Sequence, residues 1–142
     1  MAKHSAGEIM AVVIAALRGD ATLEGLIGDS ESPANVRVYD YVPEDTVFPY
    51  CRAHIQGAEN DDAATVSGMI YNLQIDAFSR QLGDSELHDI EAAIMDVLHD
   101  ASLSPAGANL VSILFLRANK ITDPDNVTRH GIMEFTVMAE NA

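Results

Sequence analysis

Two periodicities meet in residues 69–99, and together they constrain the fold of this chain more than anything else in it. In Met69-Ile-Tyr-Asn-Leu-Gln-Ile-Asp-Ala-Phe78, Met69, Tyr71, Leu73, Ile75 and Ala77 are apolar, and Asn72, Gln74 and Asp76 alternate with them. This is the period-two pattern of a strand with one face on a core. Residues 79–84 turn the chain, and Asp84 or Ser85 is placed to cap a helix, because either side-chain oxygen can accept from an orphan N–H of the first turn. At ~100° per residue, Leu87, Ile90, Ile94, Val97 and Leu98 share one arc, and Glu86, Asp89, Asp96 and Asp100 share another. Six acids and no Lys or Arg lie between Asp84 and Asp100, so the acidic face has no basic partner on its own helix. A half-buried strand that leads straight into a half-buried helix asks for a helix laid on one face of a sheet.

Upstream, Ser5-Ala-Gly-Glu8 has the spacing of a capping box, in which Ser5 and Glu8 satisfy each other's backbone N–H groups. Ile9, Val12, Val13, Ala16 and Leu17 follow at helical spacing. Gly19-Asp20 interrupts them, and Leu23, Leu26 and Ile27 form a short extension ending at Gly28. Residues 29–35 read as a polar surface loop. Val36, Val38 and Val42 then alternate with Arg37 and Asp40 as a first strand, with Tyr39 and Tyr41 on its other face. After a turn at residues 43–46, residues 49–56 form a second strand with Cys51, Ala53 and Ile55 on one side and Tyr50, Arg52 and His54 on the other. Residues 57–65 carry Glu59, Asp61 and Asp62, one glycine and no basic residue, and are expected to be a mobile loop.

Downstream, residues 102–109 are a small-residue connection. Residues 110–116 are apolar on both faces, which predicts a strand buried on two sides. Residues 123–126 are a turn, and residues 130–139 a last strand with Met133, Phe135 and Val137 on its core face. The order is helix, two strands, long strand, helix, two strands. It predicts an α+β fold in two layers, a mostly antiparallel sheet of about five strands with helices packed on one face, as a single domain over residues 1–142.

The function classes narrow by exclusion. A net charge of −14 argues against general affinity for a nucleic-acid backbone. The apolar run at residues 9–17 is too short to span a bilayer and no cleavage site follows it, so a cytosolic helix is expected rather than export or membrane insertion. Cys51 is the only cysteine, which suits a reducing compartment and leaves no multi-thiolate metal site within one chain. Cys51 and His54 point to opposite faces of their strand, so they do not form a catalytic pair. His88 and His99 are ~16 Å apart along their helix and cannot share a metal. Asp123-x-Asp125-Asn126 lacks the glycine and closing glutamate of a calcium loop and reads as a tight turn. No catalytic, phosphate-binding or metal motif is present, so no enzyme, cofactor or metal is expected. What remains is uncovered apolar surface: Tyr39, Tyr41, Phe48, Ile70, Phe78 and the second face of residues 110–116. Either the chain's own loops or a neighbouring subunit must cover it.

Tyr39-Asp-Tyr-Val-Pro43, Phe48-Pro-Tyr50, Leu73-Gln-Ile-Asp-Ala-Phe-Ser79, Leu98-His-Asp-Ala101, Asp123-Pro-Asp125 and Thr128-Arg-His-Gly131 together resemble the tail-completion, or tail-terminator, family of long-tailed phages and gene transfer agents. The resemblance runs from the first helix to the last strand and carries no catalytic signature. It implies a structural ring, usually a hexamer, that caps a polymerised tail tube in a phage-like particle assembled in the bacterial cytoplasm. Its implied partners are other copies of itself, the tail tube protein and a head-completion or neck protein, with DNA passing through the channel unbound. Glu59, Asp61 and Asp62 are the candidate lumen or rim residues, because carboxylates repel the DNA backbone and let it slide. The alternatives are a head-side neck or connector subunit, and a small cytosolic ligand-binding or enzymatic α+β domain.

Overall fold

The central strand and helix form where the two periodicities place them. The computed structural model describes residues 3–28, 36–61 and 67–142. Its elements are α1 (Ala6–Arg18), α2 (Ala21–Ile27), β1 (Val38–Tyr39), β2 (Tyr50–Asp61), β3 (Gly68–Ser79), α3 (Ser85–Leu98), β4 (Ala108–Thr122) and β5 (Arg129–Asn141). The five-stranded sheet has the order β1-β2-β3-β5-β4, with β1 parallel to β2 and every other pairing antiparallel. β3 and β4 therefore run the same way, with β5 inserted between them and α3 as the crossover that covers one face. This fits the expected α+β architecture.

The core lies between that face and the helices. Ile9, Val13 and Leu17 of α1, spaced by one turn each, are buried together with Leu23 and Ile27 of α2 and Leu87, Ile90, Ile94 and Leu98 of α3. The sheet meets them with Cys51 and Ala53, with Tyr71, Leu73, Ile75 and Ala77, and with Met133, Phe135 and Val137. At Gly131 α3 approaches the sheet closely: a Cβ there would stand 3.1 Å from both Leu87 Cδ1 and Glu91 Oε2.

Several expectations are corrected. The Ser5 hydroxyl does not cap α1; Ser5 is buried, and its N–H donates to the Tyr71 hydroxyl at 2.7 Å, so a tertiary bond replaces the local one. Asp84 is the N-cap residue of α3 but makes no side-chain cap bond, because Lys120 (2.6 Å) and Arg129 (3.1 Å) hold its carboxylate instead. The first strand is two residues long, not residues 36–42, and the guanidinium of Arg18 binds the Val38 carbonyl that faces away from β2. Residues 57–61 are not loop: β2 continues through a bulge at Gln56 to Asp61, paired residue by residue with β3. The expected loops at residues 29–35 and 62–65 lie outside the described residues. β4 is not buried on two sides. It is the sheet's outer strand, with Ile113 buried and Val111, Leu114 and Leu116 exposed, and two bulges opposite β5 redirect its side chains.

Candidate assembly surface

Among the described residues no helix covers the second face of the sheet, and the register fixes what that face displays. Tyr50, Phe78, His130 and Ile121 stand level across β2, β3, β5 and β4. The next rows are Arg52, Asp76, Ile132 and Asn119, then His54, Gln74, Glu134 and Arg117. Towards the other end, Glu59 pairs with Ile70 and Asp61 with Gly68. The face is thus aromatic at one end, polar in the middle and acidic at the end where β2 meets β3.

The aromatic end is a stack. Phe78 lies between Tyr50 (4.8 Å between ring centroids) and His130 (4.3 Å); Phe48 meets Tyr50 edge-on at 5.0 Å, and Tyr39 is 6.4 Å from Tyr50. The Arg80 guanidinium sits 4.1 Å over the Phe48 ring. Tyr39, Phe48 and Phe78, predicted separately as uncovered, are therefore gathered around Tyr50 and half-buried. Tyr41 is not part of the stack and is 81% exposed. Ile70 lies at the opposite end, half-buried beside Glu59.

Beside the stack, Asp76 is buried on a face that has no helix over it. His54 Nε2 lies 3.0 Å from one carboxylate oxygen, and Gln74 Nε2 donates to the other at 2.8 Å. His130 Nε2 is 3.3 Å from that second oxygen, at ion-pair distance but off the line of a directed hydrogen bond. Burial raises the Asp76 carboxyl, yet the contacts from His130 and Gln74 and the charge on the two histidines outweigh it and hold the group below its ordinary value. Alternation placed Asp76 and His54 on the outer face, but nothing local shows that His130 arrives beside them, because that depends on β5 pairing with β3.

The remaining candidates are spent on structure. Asp125 accepts from Val127 N–H and from the N–H and hydroxyl of Thr128, which lowers its carboxyl to about 2 and locks the predicted turn. Cys51 is fully buried, and desolvation pushes its thiol far up. His88 and His99 are both exposed, and His99 Nδ1 accepts from the Phe115 N–H at 3.0 Å. Glu59 is exposed and Asp61 half-exposed, both on the sheet; Asp62 lies outside the described residues. Among the described residues no cluster of His, Cys, Asp or Glu is arranged to hold a metal ion, and no helix is long and apolar enough to cross a membrane.

The profile of the family described as Tail completion protein gp17 matches residues 11–140. The chain belongs to this tail-completion family. The fold of this tail-completion protein also matches a chain in the virion of a native gene transfer agent particle, with a TM-score of 0.78 and 26% identity over 96% of this chain and 98% of that one. No match is found among curated protein sequences. The family and the virion match give the protein a structural, virion-associated role in tail completion. The family inferred from residues 39–131 is the one the profile identifies.

Proposed function

We propose that this tail-completion protein forms a closed ring, expected as a hexamer, on the end of a polymerised tail tube, stops the tube's growth and offers its other side to a head-completion or neck protein. The reading makes it a non-enzymatic component, assembled in the bacterial cytoplasm before it enters the particle. One observation carries it: a chain matched end to end by a virion chain has a sheet whose two outer strands differ in length, charge and cover. A subunit that meets its neighbours through two unlike surfaces builds head-to-tail, and such contacts close into a ring when the rotation allows.

In that ring the helix-free face, with Glu59 and Asp61, lines the channel, and the helices lie outside. A channel that conducts DNA should not grip it, since each Lys or Arg on a phosphate adds salt-dependent attraction. Purified protein added to growing tail tubes should halt elongation, and native mass spectrometry of the capped ends should give one hexamer. Elongation that continues past bound protein contradicts the reading; binding to filled heads in preference to tube ends assigns the protein to the neck. The channel assignment is tested with Asn72→Lys and Thr136→Lys, on the two central strands of that face. Assembled particles should then retain DNA at low salt and release it at high salt, whereas unchanged delivery places the face elsewhere.

A further inference from the structure

The two outer strands of the sheet are open in complementary places. β1 covers only Cys51 and Arg52 of β2, and beyond them no described strand pairs with β2 on that side. Ala53 and Ile55 are in phase with Cys51, whose N–H bonds the Arg37 carbonyl, so their backbone groups point into the gap. α1 overhangs it: Ala6, Met10 and Ile14 face Ala53, His54 and Ile55 across a largely apolar groove of about 460 Å³. On the opposite edge the chain closes the middle of β4 itself. His99 Nδ1 accepts from Phe115 N–H, and the Asp100 N–H donates to the Ile113 carbonyl at 2.7 Å. Residues 116–122 are all exposed, and no described residue bonds their outer backbone edge.

Charge is sorted between the same two edges. β4 contains Arg117 and Lys120 and no acid, whereas residues 53–61 of β2 contain Glu59 and Asp61 and no Lys or Arg. Pairing β2 with β2, or β4 with β4, would set like charges side by side; pairing β4 with β2 sets Arg117 beside Glu59 and Asp61, with which it shares the helix-free face. Symmetric dimerisation through either edge is disfavoured, and a head-to-tail contact is favoured.

We infer that residues 116–122 of β4 in one copy add as an antiparallel strand to the open edge of β2 in the next copy, beneath its α1, with Arg117 against Glu59. This inference rests on the ring reading and names its interface. β2 and β4 run in opposite directions within the sheet, and rotational neighbours keep that relation. By its register with Met133, Ala118 faces the helix side, where it stands opposite Ala58, itself level with the buried Tyr71. The contact requires a stagger. Within one sheet Arg117 is level with His54, and Glu59 lies four ladder pairs further on, from Gln74 to Ile70. A closed sheet with strands tilted by about 36° advances by about one residue per strand, so the four long strands of each copy supply an offset of that size.

Two kinds of variant test it, each made in the full chain, checked for folding by circular dichroism and scored by native mass spectrometry. Glu59→Lys with Asp61→Lys on the β2 edge should abolish the oligomer, and so should Arg117→Glu on the β4 edge. Mixing the two variants, or combining all three substitutions in one chain, should restore it. Arg117 also holds Glu134, so Leu116→Glu, which touches no ion pair and sets a carboxylate between Glu59 and Asp61 of the neighbour, provides a second β4 variant with the same expected loss. Registration is read by disulfide trapping, for which the buried Cys51 is a silent background. Arg117→Cys with Glu59→Cys should give a ladder of linked copies on oxidation, since antiparallel partners lie within disulfide reach. Arg117→Cys with His54→Cys should give none. Folded edge variants that still form the parental oligomer overturn the inference and leave the ring reading standing, as does a ladder from the His54 variant alone. A parent chain that forms no oligomer at any concentration, with or without tubes, overturns the ring reading itself.

Discussion

Tyr71→Phe removes one atom, and the structure says what that atom does. The Tyr71 hydroxyl accepts from the Ser5 N–H at 2.7 Å, and both residues are buried, so water cannot replace it. It is also the bond that stands in for the missing side-chain cap of α1, tying the helix's first turn to β3. Leaving a buried N–H without a partner costs about 1–3 kcal/mol. The ring stays in place and opens no large cavity, so about 1.5 kcal/mol is expected, which for a domain of this size lowers Tm by about 3–6 °C. Thermal melting measures the loss. Hydrogen exchange localises it: the Ser5 amide should lose protection while amides of β3 and β5 keep theirs. A Tm within about 1 °C of the parent, with the Ser5 amide still protected, would refute the idea that this bond anchors α1.

Gly131→Val should destabilise by about 1–3 kcal/mol or more, because Leu87 and Glu91 leave no room for a side chain under α3; urea unfolding checks it, and an unchanged midpoint contradicts the close approach. Glu91→Gln should raise Tm at neutral pH, because burial holds the Glu91 carboxyl above its ordinary value and so disfavours the charged form in the fold. That penalty disappears below the unfolded value of about 4.3, so parent and variant should melt together there. Asp125 has the opposite sign. Its lowered carboxyl contributes stability above the unfolded value of about 3.9, and the contribution is lost as pH falls through about 2. Asp125→Ala should therefore melt earlier than the parent at neutral pH, with the gap closing as pH falls from about 4 towards 2.

The sequence made legible whatever is local. The periods of α1, β3, α3 and β5 are set by which side chains must face the core, and each element lies where its apolar positions put it. The Asp123–Asn126 turn is written in side chains that bond their own backbone. Features set by strand neighbours were hidden. Gly57, Glu59 and Asp61 look like a loop until β3 is laid beside them, because glycine and acids have low strand propensity and pairing overrides it. The apolar character of residues 110–116 suits double burial, yet an outer strand with exposed apolar side chains shows the same pattern. Asp84 and Ser5 were placed at the right helix ends, but tertiary partners on β4, β5 and β3 captured the groups that would have capped. The burial of Asp76 between His54 and His130 needed the β2, β3, β5 order, which no local pattern encodes.

Copies of this chain are proposed to close the end of a tail tube. Electron microscopy of tail tubes grown with and without the protein tests it most directly. Tubes grown with the protein should be of limited length and carry one hexameric ring at a single end, helices outside and the helix-free sheet face towards the channel. Protein bound along the sides of the tubes, or rings absent from ends that have stopped growing, would contradict it.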